Sequence, residues 1–91
     1  MATDAQQTNN RHSPDFAWCP WNGTIYTFSP RQAQFVRLLW NAWEGGHELS
    51  DRWLLEQTNA HCPRVRDAFR NHPAWGEMIT LGSRRGFKRL A

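Results

Sequence analysis

The sequence predicts an α+β fold in the order hairpin, helix, helix, helix, hairpin. Two turn signals, Asn22-Gly23 and the Gly82–Gly86 loop, each sit between short strand-like runs. Three stretches between them carry helix start and stop residues. A length of 91 residues suffices for one small domain, which is too small to bury its core without large apolar side chains. Six tryptophans and five phenylalanines supply that area economically.

Residues 1–14, MATDAQQTNNRHSP, are polar and aperiodic, and read as a disordered N-terminal arm; the domain is assigned to residues 15–91. In FAWCPWNGTIYTF, Asn22-Gly23 suits a tight turn whose central residues both need positive φ. Ile25 then faces away from Thr24, Tyr26 and Phe28, and Pro20 makes the first strand short or an edge. SPRQ opens the first helix: Ser29 caps, Pro30 fits the first helical position, and Gln32 completes a capping box. That helix runs to Glu44 and stops at Gly45-Gly46. Arg31, Gln34, Arg37, Asn41 and Glu44 form its polar stripe, with Val36, Leu39, Trp40 and Trp43 on the buried side, widened by Phe35, Leu38 and Ala42.

A second helix is expected from Ser50 to Asn59, anchored by Trp53 and by Leu54 or Leu55. The third is expected from Pro63 to His72, after a turn of about three to four residues that fits helix-turn-helix geometry. Val65, Phe69 and His72 share its inner face; Arg66, Asp67, Arg70 and Asn71 lie on the other, flanked by Arg64. EMITLGSRRGFKRL closes the chain as a hairpin, Ile79 to Leu90.

Charge is uneven. Residues 61–91 hold seven basic and two acidic side chains, while residues 1–60 hold four and six. Such asymmetry points one end at a polyanion. All but one of the eleven cations are arginine, whose fork matches phosphates and guanine edges. Apolar runs such as Leu38-Leu39-Trp40 are too short for a membrane span, and no signal peptide is expected. Cys19 and Cys62 make no disulfide framework, and His61-Cys62 with His72 fits no common zinc spacing, so no metal or other cofactor is expected. Ser13, Ser29, Ser50 and Ser83 have no His/Asp company and no Gly-rich phosphate loop precedes a helix, so neither an enzyme nor a small-molecule substrate is expected.

FSPRQ at Phe28–Gln32 and RRGFKRL at Arg84–Leu90 carry a family likeness. In their order and spacing, over roughly residues 21–91, they resemble the winged helix-turn-helix DNA-binding output domains of bacterial response regulators. The resemblance implies a winged helix-turn-helix fold: a short N-terminal β-hairpin, three helices and a C-terminal β-hairpin wing. It implies double-stranded DNA as partner, with the third helix (Arg64, Arg66, Asp67, Arg70, Asn71) in the major groove and the wing (Arg84, Arg85, Lys88, Arg89) on phosphates or the minor groove. NHPAWGEM departs from that family and places Trp75 near the wing base. A cytoplasmic, nucleoid-associated transcriptional regulator follows as an expectation. A single module offers DNA about 600–1,000 Å², so useful affinity calls for a homodimer or a partner protein.

Plainer readings stand beside these. The third-helix arginines are also a solvated face paired with Asp67, and Arg84-Arg85 an ordinary exposed turn. A protein-interaction module that keeps the fold is the alternative function, drawing on an exposed tryptophan-rich surface of Trp18, Trp21, Trp53 and Trp75.

Overall fold

The computed structural model describes residues 12–91. Residues 1–11 of the expected arm lie outside the described residues. The last part of that arm belongs to the body instead. Ser13 is buried, accepts the Trp18 N–H at Oγ (3.0 Å) and donates its own N–H to the Trp18 carbonyl (2.9 Å). His12 stacks on Phe16, with ring centroids 3.9 Å apart.

Strands β1 (Trp18–Trp21) and β2 (Thr24–Thr27) form the first antiparallel hairpin. Asn22 and Gly23 take φ of 50° and 85°, the two left-handed positions that a tight turn between twisted strands requires. Cys19 and Tyr26 face each other across the ladder and point inward, while Ile25 points to solvent.

Helix α1 (Pro30–Glu44) begins at the predicted residue because its capping box closes. Ser29 Oγ accepts the Gln32 N–H at 3.2 Å and Gln32 Oε1 accepts the Ser29 N–H at 3.0 Å. Ala33, Phe35, Val36, Leu39 and Trp40 are buried. Trp43 was expected on that side but lies at the rim, edge-on to Trp21 at 5.1 Å. Two residues after the turn at Gly45-Gly46, β3 (Leu49–Ser50) pairs with the last strand. Helix α2 (Asp51–Thr58) is capped by Ser50, whose Oγ accepts the Trp53 N–H at 3.1 Å, and ends on Asn59 at φ 52°. Leu54 anchors it; Trp53 turns outward.

The expected third helix is cut short. Only Val65–Ala68, α3, is α-helical, and residues 59–64 make a longer connection than the turn predicted. Arg64 is extended (φ −140°), so Pro63 precedes the helix rather than opening it. Beyond Ala68 the chain proceeds by three-residue turns: Arg70 N–H to Asp67 O, His72 N–H to Phe69 O, Trp75 N–H to His72 O. Asn71 sits at φ 61°, which ends any helix. Val65 and Phe69 keep the expected inner face.

Strands β4 (Ile79–Leu81) and β5 (Phe87–Leu90) complete a three-stranded antiparallel sheet in the order β3-β5-β4. Helix α1 packs on β5 and on α2. The core centres on Phe35, Leu39, Leu54, Phe69, Met78 and Ile79, with Phe69 touching the Phe28, Phe35 and Trp75 rings at about 6 Å. No helix among the described residues is long and apolar enough to cross a membrane.

Candidate nucleic-acid interface

Two long-range hydrogen bonds hold the α3 segment. Gln32, already part of the α1 cap, donates Nε2–H to the Ala68 carbonyl at 2.9 Å. His72 accepts the Ala74 N–H at Nδ1 (3.0 Å). Its proton is therefore on Nε2, which donates to the Thr27 carbonyl at 2.6 Å. The imidazole also lies flat on Phe28, centroids 4.9 Å apart. Ala74 in turn accepts the N–H groups of Glu77, Met78 and Ile79 at its carbonyl. The segment after α3 is thus tied to the first hairpin on one side and to β4 on the other.

Arg64, Arg66, Arg70 and Asn71 are exposed on this segment. Arg64 and Arg66 make no ion pair with a described residue. Asp67 is half-buried, and its carboxylate meets Arg70 Nη2 at a long 3.4 Å. Asp67 therefore steadies Arg70 more than it offers itself to a ligand. Arg64 and Arg66 share a cleft of about 380 Å³ with Asp51, Trp75, Leu81 and Lys88. Leu81 is the last residue of β4, so the α3 flank and the base of the β4–β5 loop meet there.

The residues of the β4–β5 hairpin part company. Gly82 lets the loop close: a Cβ there would sit 2.8 Å from Glu48 Oε1 and 2.9 Å from Phe87 Cβ. The Glu48 carboxylate accepts the Ser83 N–H at 2.9 Å and the Ser83 hydroxyl at 3.0 Å. These bonds, chiefly the backbone one, with Arg89 and Arg84 nearby, hold the Glu48 carboxyl below its ordinary value. Arg84 stacks over Phe87, its guanidinium carbon 4.2 Å from the ring centroid. Arg85 is exposed in the loop, and Arg89 lies with Trp43, His47 and Glu48 on the sheet face opposite Lys88.

Lys88 requires a correction. It was expected to line the wing for DNA, but it is buried, with Nζ 2.9 Å from both Asp51 carboxylate oxygens. The reason is the two-residue period of a strand: Lys88 and Leu90 point inward, Phe87 and Arg89 outward. Leu90 in the sequence carried that signal. The partners Asp51 and Glu48 and the bond from Gln32 to Ala68 were not foreseen, because each depends on contacts between distant segments. Among the described residues no cluster could hold a metal ion. The chain matches no family model, no curated protein and no solved structure.

Proposed function

We propose that this chain is a winged helix-turn-helix domain that binds double-stranded DNA as a sequence-specific transcriptional regulator of the cytoplasm and nucleoid. Support comes from the connectivity α1-β3-α2-α3-β4-β5 with β5 between β3 and β4, which sets a basic hairpin beside the helix pair. The observation that carries the proposal is the cleft in which Arg64 and Arg66, with no ion pair to a described residue, meet Leu81 at the foot of the Arg84-Arg85 loop. Guanidiniums so placed on two elements suit a phosphate track flanking a groove. Residues Arg66, Arg70 and Asn71 are the base-edge readers, with Arg64, Arg84 and Arg85 on phosphates. A homodimer or a partner protein extends the footprint.

The alternative, a protein-binding module, draws on Trp18, Trp43 and Trp53, each nearly two-fifths exposed. Trp21 and Trp75 are instead engaged with core aromatics, and Arg64 and Arg66, without an ion pair to a described residue, favour DNA. The test is selection from a random duplex library followed by titration of selected and random duplexes. Arg84→Ala with Arg85→Ala is expected to weaken both alike. Arg66→Ala or Arg70→Ala is expected to cost the selected site about 1–3 kcal/mol more than random DNA. No enrichment of any sequence would refute sequence-specific binding.

A further inference from the structure

Residues 83–86, between β4 and β5, are all exposed, and an exposed loop carrying long side chains is ordinarily the mobile part of a hairpin. This loop is fastened at both ends. The Gly82 N–H donates to the Phe87 carbonyl at 2.8 Å and closes its base. At the leading end, Ser83 donates its N–H to one Glu48 carboxylate oxygen and its hydroxyl to the other. At the trailing end, the Gly86 carbonyl accepts the Asp51 N–H at 2.8 Å. Both anchors come from residues 48–51, the segment that carries β3 and opens α2. Glu48 precedes β3 and Ser83 follows β4, the outer strands on either side of β5, so the carboxylate ties one edge of the sheet to the loop leaving the other.

Arg84 and Arg85 sit between these anchors, and Arg84 is held further by its stack on Phe87. Glu48 brings a negative charge close to Arg84 and Arg89, and charge alone makes it a poor neighbour for a phosphate. What it supplies is geometry. Charge-assisted bonds at the start of the loop fix the backbone that carries the two guanidiniums, so less freedom is lost when they engage a ligand.

We propose that Glu48 is a positioning residue for DNA binding: its bonds to Ser83 hold the β4–β5 loop so that Arg84 and Arg85 meet phosphates already ordered. The role rests on the DNA-binding reading above and acts through those two arginines.

The experiment compares Glu48→Gln with Glu48→Ala, which remove the same charge and differ in the oxygen that accepts from Ser83. Binding of each to a random-sequence duplex is followed by fluorescence anisotropy at several salt concentrations, with amide exchange of residues 83–86 and thermal melting alongside. Glu48→Gln is expected to bind at least as tightly as wild type, having lost one negative charge. Glu48→Ala is expected to bind about tenfold more weakly than Glu48→Gln, with fast exchange in the loop. The two salt slopes should agree, because the same arginines still reach the same phosphates. With Arg84 and Arg85 both replaced by Ala, the difference between the two Glu48 variants should vanish. Ser83→Ala removes one of the two bonds without touching any charge; it is expected to weaken binding about threefold and decides the matter should Glu48→Ala not fold. Equal affinity of Glu48→Ala and Glu48→Gln, or of Ser83→Ala and wild type where that variant decides, overturns the positioning role and leaves duplex binding standing. So does a difference that persists without Arg84 and Arg85. Failure of the wild-type protein to bind any duplex overturns the DNA reading and this role with it.

Discussion

Replacing Lys88 by Met removes the ammonium between β5 and α2 while nearly conserving side-chain volume. Breaking a dry ion pair from one side costs about 3–5 kcal/mol. Asp51 keeps 30% of its side-chain exposure and sits in the first turn of α2, where the helix dipole favours a carboxylate by about 0.3–1 kcal/mol. Both reduce the penalty of leaving it alone, so the expected loss is about 2 kcal/mol, or roughly 8–16 °C in midpoint for a domain of this size. Asp51→Ala strands the deeper partner, Lys88, whose side chain is 8% exposed, and is expected to cost about 3 kcal/mol. The double variant should cost less than the sum, because neither charge is then left unpaired. Urea unfolding followed by tryptophan fluorescence measures all three. Affinity of the folded double variant for random duplex should match wild type, since the ammonium is turned inward and no unpaired carboxylate is then left beside Arg64 and Arg66. A drop in affinity and salt slope with unchanged stability would refute this placement of Lys88.

Gln32→Ala removes both the reciprocal cap of α1 and the bond to Ala68; thermal unfolding should show a loss of about 1–2 kcal/mol, with faster amide exchange in residues 65–72. Because the Glu48 carboxyl is held below its ordinary 4.5, its stabilisation is fully present above that value and is lost as pH falls through the lowered folded value. Protection of the Ser83 amide should follow that loss, and Glu48→Gln should flatten the acid limb. Burial pushes the Cys19 thiol up to about 11, so at neutral pH a thiol reagent should modify Cys62 in the native protein and Cys19 only on unfolding.

Much of the fold was legible because its signals are local. Ser29, Pro30 and Gln32 define the start of α1, Asn22-Gly23 the first hairpin, and Ser50 the cap of α2. β3 escaped because a pair of residues, Leu49 and Ser50, carries no periodicity; its strand character comes from Phe87 and Lys88 across the ladder. α3 was read too long because the i, i+4 pattern of Val65 and Phe69 is also met by successive tight turns. What ends the helix is non-local: His72 is drawn to Thr27, and Asn71 takes the left-handed conformation before Pro73. Of the candidate site, the exposure of Arg64, Arg66, Arg70, Arg84 and Arg85 followed from pattern. The cleft that Arg64 and Arg66 share with Trp75 did not, since it depends on how the HPAWG turn folds against β4.

The salt dependence of random-duplex binding tests DNA recognition most directly. Each phosphate neutralised releases about 0.9 counterion, so contacts from Arg64, Arg84 and Arg85 predict a slope of log K against log salt of roughly −3. Wild-type protein should show that slope, and removing Arg84 and Arg85 should make it shallower by about two units. Absence of binding at low salt, or a flat slope, would contradict DNA recognition by this surface.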